Sequence, residues 1–266
     1  MGELMPSGSR IWLTGASSGI GLLLAERLLQ DGHKLVLSAR RQEPMTYLLK
    51  KFSDTCHVLP LDVGDTTAVR AAGKLLPTFF DGLDVIILNA GICEYVDIDK
   101  FDSDQIERVI NINLFGASRC LEVGLPLLMS SVGSSRPYIV SIGSLADRVA
   151  FPRAQAYGTS KAALRYLMKC MHLELRQRDI DVSFVEPGFI ATPMSAANDF
   201  PMPFMLTSAQ AVEFILKGMR RRKPMISFPK ALAWPLILAS LFTPIWRSLI
   251  SPWLPRREQE KSEKSP

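Results

Sequence analysis

The sequence predicts an α/β protein: one doubly wound parallel sheet with helices on both faces, followed by an apolar C-terminal extension. Three observations carry that expectation. Short apolar runs of strand length alternate with longer helix-like stretches, an order that implies right-handed crossovers and parallel pairing. The first strand candidate runs straight into a glycine-rich turn and a buried helix. The chain has 266 residues, 47% of them hydrophobic, enough for one α/β core, and nothing before residue 220 reads as an interdomain linker.

The strand candidates are residues 11–13, 35–37, 57–59, 85–88, 138–142 and 182–185, with a brief later one at 225–228. After the first come Gly15, Gly19 and Gly21, spaced Gly-x-x-x-Gly-x-Gly, and then the helix-like Leu-Leu-Leu-Ala-Glu-Arg-Leu-Leu. This is not the Gly-x-Gly-x-x-Gly of the commonest dinucleotide fingerprint. It serves the same physical end, because strand, glycine turn and helix aim a helix N-terminus and bare backbone N–H groups at a phosphate. Taken alone, the glycines also fit a turn that merely needs them.

Tyr157 and Lys161 stand one helical turn apart, so an ammonium can lie beside a phenol on one helix face. A phenol titrates near 10 in reference compounds, about three units above neutrality. A fixed positive charge beside it stabilises the phenolate and draws that value down. The same spacing also describes an ordinary solvated pair.

Thr14-Gly15-Ala16-Ser17-Ser18-Gly19-Ile20-Gly21, Asp62-Val63, Asn89-Ala90-Gly91, Asn113, Ser144, Tyr157, Lys161 and Pro187-Gly188 followed by Thr192 occur in that order and at those spacings. Over residues 10–192 the chain therefore resembles the short-chain dehydrogenase/reductase family. The resemblance implies a single Rossmann-type catalytic domain over residues 1–228, with a substrate lid at 193–207, and a homo-oligomer, dimer or tetramer. It implies a nicotinamide dinucleotide held by Gly15, Ser17, Ser18, Gly19, Ile20 and Gly21. Asp62 and Val63 would meet the adenine, and Asn89, Ala90 and Gly91 would pass behind its ribose, although Asn89 equally suits a purely structural role. Pro187, Gly188, Ile190 and Thr192 would surround the nicotinamide.

The family's chemistry falls on Asn113, Ser144, Tyr157 and Lys161. Nicotinamide carries the hydride, so the protein orients a carbonyl or alcohol and handles one proton. Tyr157 would exchange that proton. Ser144, at the end of a buried strand, would stabilise the oxyanion, with Ser141 as its competitor. Lys161 would lower the phenol pKa and bond the nicotinamide ribose, and Asn113 would bend a helix and hold a water that relays protons from Lys161.

Coenzyme choice follows from Ala39, Arg40 and Arg41. A site selective for NAD carries a carboxylate here to bond the ribose hydroxyls; Ala39 takes its place, and a guanidinium offers a fork of donors to a 2′-phosphate. NADP(H) is therefore expected, with Arg40 as first contact and Arg41 as second, against the plainer reading of two solvated arginines. The lid segment 193–206 is rich in Met, Phe and Pro and carries one charge, Asp199. It suits a lipophilic carbonyl or secondary alcohol of steroid, retinoid or fatty-acyl type, or a loop that buries its own side chains.

Residues 229–266 form the apolar extension, ending in a charged tail expected to be disordered. Residues 231–246 carry no charge, yet a spanning helix needs about 20 apolar residues, and Pro235 and Pro244 are expected to break helical bonding. Peripheral membrane contact through 231–254 is the leading reading. Trp234, Trp246 and Trp253 suit the headgroup level, and Arg220 to Lys223 with Arg256 and Arg257 suit anionic lipid. An arm packed on a partner subunit or over the active site is the alternative.

Cys56, Cys93, Cys120 and Cys170 include no C-x-x-C pair, and His33, His57 and His172 have no ligand spacing, so neither metal nor disulfide is expected. There is no apolar signal core, and Pro6 stands where an N-myristoylation motif wants Ser or Thr, which points to a cytoplasmic protein. The formal charge of +5 comes with no nucleic-acid motif. A non-catalytic NADP(H)-binding sensor or scaffold at a membrane remains the alternative to an enzyme.

Overall fold

The structure, a computed structural model, describes residues 5–130 and 136–242 and, beyond them, 244, 246 and 248. Strand β1 (Arg10–Thr14) lies in the interior of its main sheet. Around it run β2 (Lys34–Ala39), β3 (Cys56–Pro60), β4 (Val85–Leu88), β5 (Tyr138–Ile142) and β6 (Asp181–Pro187). The two-residue strands β7 (Ile190–Ala191) and β8 (Leu206–Thr207) pair with each other apart from the main sheet, which β9 (Met225–Phe228) completes. The seven strands run parallel in the order β3-β2-β1-β4-β5-β6-β9. All the strand candidates read from the sequence are present: 85–88, 138–142 and 225–228 keep their bounds, and the other four are longer by two or three residues.

Helices α1 (Gly19–Gln30), α2 (Thr46–Lys51), α3 (Thr66–Phe79), α4 (Ser103–Ile110), α5 (Ala117–Ser130), α6 (Gln155–Leu175) and α7 (Ser208–Arg220) cover the sheet. Successive strand residues face opposite sides. Ile11, Leu13, Leu35, Leu37 and Ile87 pack beneath Leu24 and Leu28 of α1, Leu48 of α2 and Ile215 of α7. Trp12, Val36, Ile86 and Ile139 face Val69 of α3, Leu121 of α5 and Leu164 of α6. Burial on both faces is why the strands read as continuous apolar runs rather than alternating ones.

Helix boundaries follow from local chemistry. Asp65 caps α3, its carboxylate accepting from the N–H of Thr67 at 2.8 Å and of Ala68 at 3.0 Å. Thr207 and Gln210 form a reciprocal capping box on α7, which fixes its start at Ser208. Between α4 and α5 the chain does not break but widens into a π-helical stretch, Asn111–Gly116. Such a bulge marks functional positions in helices, and this one carries Asn113.

The tail departs from expectation. Helix α8 (Lys230–Leu241) runs straight through Pro235. The proline forfeits one bond, to the carbonyl of Ala231; Ala231 is exposed, so water can serve that oxygen and the break does not occur. The basic run before β9 is also not on the face of α8. Arg222 donates to Asp181 at 2.9 Å and to the carbonyl of Arg136 at 2.9 Å, with its guanidinium 4.6 Å from the Tyr138 ring centroid, and Arg220 pairs with Asp31. Strand β9 separates that amino-edge network from α8, which leaves the carboxyl edge. Residues 249–254, with Trp253, and the charged tail with Arg256 and Arg257 lie outside the described residues.

Trp12 is fully buried and its Nε1 donates to Ser38 Oγ at 3.0 Å. Trp12→Ala should cost about 3–5 kcal/mol through lost contacts and a cavity, measured as a lower urea midpoint at unchanged slope. A loss below about 1 kcal/mol would contradict a packed core at this position.

Candidate active site

The strand order reverses between β1 and β4, and an open sheet binds its ligand outside the carboxyl ends at such a point. Side chains tie the two strand ends together there. Thr14 Oγ1 accepts from the N–H of Asn89 at 3.1 Å and of Ala90 at 3.2 Å, while Asn89 Nδ2 donates to the carbonyls of Thr14 at 3.1 Å and Gly15 at 2.9 Å. Gly15 has φ +69°, and a Cβ on it would lie 2.7 Å from Ala90 Cα; a Cβ on Gly21 would collide with the Gly15 carbonyl. Glycine is thus demanded at both ends of the turn. Ser18 stands at the N-cap of α1 without a side-chain cap bond, so the first-turn N–H groups are left for an anion.

From this turn a cavity of about 690 Å³ extends along the carboxyl edge. Every residue the sequence assigns to coenzyme or chemistry lines it, namely Gly15, Ser17, Ser18, Gly19, Ile20, Gly21, Arg40, Arg41, Asp62, Val63, Asn89, Ala90, Gly91, Ser144, Tyr157, Lys161, Pro187, Gly188, Ile190 and Thr192, with the exception of Asn113. Arg40 and Arg41 follow β2 and are exposed, and among the described residues neither makes a hydrogen bond or ion pair. Asp62 turns its carboxylate to the N–H of Gly64 at 2.8 Å. A cradle closed to any Cβ, an uncapped helix start and two guanidiniums at the strand end fit a dinucleotide phosphate.

At the other end Ser144, Tyr157 and Lys161 converge. Ser144 ends the segment after β5, where its Oγ accepts from the Ala146 N–H at 3.1 Å, and it lines the same cavity as Tyr157. The Lys161 ammonium donates to the carbonyl of Ile142 at 2.9 Å and lies 5.7 Å from the Tyr157 ring centroid. Burial dominates the titration of both groups. It pushes the Tyr157 phenol above its ordinary value, with Cys93 and Asp147 adding to the effect and Ser144 opposing it. It pulls Lys161 down to about 8. The Tyr–Lys spacing predicts a lowered phenol pKa, whereas burial acts in the opposite direction and keeps Tyr157 a protonated phenol at neutral pH.

Asn113 is fully buried and its amide is spent on protein. Nδ2 donates to the Ile92 carbonyl and to Ser160 Oγ, both at 2.9 Å, and Oδ1 accepts from the Ile92 N–H at 2.8 Å. It stitches the Asn89–Ile92 segment to α6 at Ser160, the residue before Lys161. Ser160, which completes this stitch, went unassigned in the sequence because nothing local marks it.

Strands β7 and β8 clasp the base of the lid. Within the lid, Phe200 packs edge-on against Tyr95 and Phe189, the Tyr95 hydroxyl bonds Asn198 at 2.7 Å, and both carboxylate oxygens of Asp199 accept from Arg153 Nη1 at 2.8–2.9 Å. The loop both buries its own side chains and lines the cavity. Thr192 contacts the glycine turn and exchanges bonds with Ser195. Sequence reasoning missed Cys93, Tyr95, Phe151 and Arg153, which line the cavity, although Cys93 stands only two residues beyond Asn89-Ala90-Gly91. It also did not resolve the tail. Leu232, Pro235 and Leu236 of α8 and Trp246 line the substrate end, and Trp246 donates to the Ala150 carbonyl at 2.8 Å and packs edge-on against Phe151. Part of the extension lies over the site, while Trp234, Leu238, Leu241 and Phe242 on its outer side are more than half exposed.

Residues 9–200 match the family profile described as short chain dehydrogenase. An uncharacterized oxidoreductase of Myxococcus xanthus is 32% identical over 233 residues, covering 86% of this chain and 90% of that one. The rhamnolipids biosynthesis 3-oxoacyl-(acyl-carrier-protein) reductase of Pseudomonas aeruginosa is 31% identical over 193 residues, covering 70% of this chain and 75% of that one. A short chain dehydrogenase/reductase of Burkholderia phymatum, solved with NAD, superposes with a TM-score of 0.80 over 90% of this chain and 95% of that one, at 18% identity.

Proposed function

The chain belongs to the short-chain dehydrogenase family, and on that premise we propose that it is an NADP(H)-dependent oxidoreductase acting on a lipophilic carbonyl or secondary alcohol. The observation that carries this reading is the meeting, in one cavity, of a Cβ-free phosphate cradle at one end and the hydroxyls of Ser144 and Tyr157 beside Lys161 at the other. A bound nicotinamide supplies or accepts the hydride. The protein's part is to hold the reacting oxygen and move one proton.

In the reducing direction Tyr157 is the general acid. Burial keeps its phenol protonated, so the proton is available as the carbonyl oxygen gains charge. Ser144 donates to the same oxygen and stabilises it. The Lys161 ammonium stabilises the phenolate left behind, and its bond to the Ile142 carbonyl fixes where that charge sits. Asn113 acts by holding the Ile92 segment and α6 in register.

Arg40, with Arg41 behind it, takes the 2′-phosphate of NADP(H), supported by the absence of a carboxylate at Ala39. Phe151, Phe189, Phe200, Leu236 and Trp246 at the substrate end favour an apolar substrate of steroid, retinoid or fatty-acyl type, and the Pseudomonas relative, a 3-oxoacyl-(acyl-carrier-protein) reductase, is of the last kind. Residues 1–228 carry the chemistry in a cytoplasmic homo-oligomer, and 229–266 are appended to them. The outer side of α8, with Trp234, Leu238, Leu241 and Phe242 exposed, rests peripherally on a membrane.

Three outcomes test this. Tyr157→Phe should abolish NADPH oxidation in a screen of lipophilic ketones, aldehydes and 3-oxoacyl thioesters while NADPH binding survives; a variant keeping more than about a tenth of wild-type kcat, a loss under about 1.4 kcal/mol, sinks the assignment. Arg40→Ala, and more strongly Ala39→Asp, should shift preference toward NADH, and equal binding of NADH and NADPH by wild type refutes the coenzyme choice. The full-length protein should co-sediment with anionic liposomes whereas a chain ending at Lys230 should not; full-length protein that stays in the supernatant removes the membrane contact.

A further inference from the structure

Immediately after Ser144 the chain makes a single 3-10 turn, Leu145–Asp147, and its last residue is an anomaly. The Asp147 side chain is fully buried, yet among the described residues neither of its carboxylate oxygens accepts a hydrogen bond. A buried carboxylate without donors is costly and calls for an explanation. Its surroundings are charged. Arg165 Nε lies 3.4 Å from Oδ2 and Arg148 Nε 3.8 Å from Oδ1. Arg148 also reaches the buried Glu186 of β6 at 2.5 Å, and Ser227 of β9 donates to the same Glu186 oxygen at 2.6 Å. On α6, Tyr157, Lys161 and Arg165 follow at successive turns of one helix face, and that face meets Asp147. Cys93, beyond β4, is the remaining titratable group that acts on Lys161.

We propose that Asp147 is a positioning residue whose carboxylate, held by charge between Arg165 and Arg148 and free of hydrogen bonds, keeps the Lys161 ammonium charged inside a pocket that would otherwise neutralise it. This rests on the reading of Lys161 as the partner of Tyr157. The charges balance in a way that supports it. Two carboxylates, Asp147 and Glu186, face two guanidiniums, Arg148 and Arg165, so the cluster is neutral by itself and Lys161 can keep its own proton beside it. Without Asp147 the cluster is left with one positive charge next to a buried ammonium, and without Arg165 it is left with one negative charge.

The titrations run the same way. Burial pulls Lys161 down to about 8 and Asp147 opposes the fall. Burial, helped by Glu186, raises Asp147 to about 7, and Arg165 and Arg148 hold it back. Between those two values both groups are ionised, so Asp147 supports Lys161 over the neutral to mildly alkaline range. The carboxylate carries a full unit of charge, and in the low-dielectric interior beneath α6 that charge acts over several ångströms.

The test follows the Lys161 side chain itself. In protein labelled with ε-13C-lysine, the Lys161 resonance is the one missing from Lys161→Arg, and its shift is followed from about pH 6 to about pH 11. Asp147→Asn should move its inflection down by about one unit, Arg165→Gln should move it up, and Asp147→Glu should leave it near the wild-type position. A clamp that merely holds the Ser144 turn predicts lower melting temperatures and an unmoved inflection in every variant; that result, or shifts of the same sign in Asp147→Asn and Arg165→Gln, overturns the proposal. Should Asp147→Asn fail to fold, the upward shift in Arg165→Gln decides alone. Turnover separates the two readings. An active Lys161→Ala variant with the inflections moving as expected removes the catalytic role and keeps the electrostatic link, whereas an inactive one with unmoved inflections does the reverse.

Discussion

The bonds between Thr14 and Asn89 hold the site open and in register. At the point where the strand order reverses, the connections that follow β1 and β4 depart to opposite faces of the sheet, and the ladder between the two strands ends at Leu13 and Ile87. One hydroxyl and one amide span that gap with four bonds. Because of them the backbone of Gly15 lies against Ala90, the glycine turn meets the first turn of α1 at a fixed angle, and Asn113 can grip Ile92 just beyond. Asn89 is accordingly a structural residue in the first place, and what it shapes is the surface on which a coenzyme rests.

Desolvation is the second organising influence, and it acts against every charge near the reacting oxygen. Tyr157 is driven toward the neutral phenol, Lys161 toward the neutral amine and Asp147 toward the neutral acid. Residue spacing gives only the sign of the Tyr157–Lys161 interaction. Its strength depends on how many countercharges the fold gathers under the helix, and α6 gathers them through Arg165, one turn further on.

The legible part of the molecule is the part encoded locally. Gly15, Gly19 and Gly21 report a turn that any Cβ would obstruct, the apolar runs report strands buried on both faces, and Tyr157 and Lys161 report one face of one helix. Asp147, Ser160 and Tyr95 were not legible, because each owes its place to a segment distant in sequence: Arg165 and Arg148 for the first, Asn113 for the second, and the lid residues Asn198 and Phe200 for the third. Pro235 misled for a related reason. Helix-breaking is a local rule, and it failed where water could serve the one orphaned carbonyl and the packing of Leu232, Ala233 and Leu236 held the helix together.

Helix α8 joins the tail to the chemistry. A helix that is apolar all round needs cover on more than one side. The body of the protein covers one side, where Leu236 and Ala233 meet Leu145 and where Leu232 packs so closely on Gly188 that a Cβ there would lie 2.8 Å from it. That side therefore touches both the turn carrying Ser144 and the loop expected under the nicotinamide. On the proposed reading the other side rests on lipid. The wall of the substrate chamber and the membrane contact would then be two faces of one 12-residue helix, and any shift of the helix on its outer support would be felt at Leu145, one residue from the oxyanion donor.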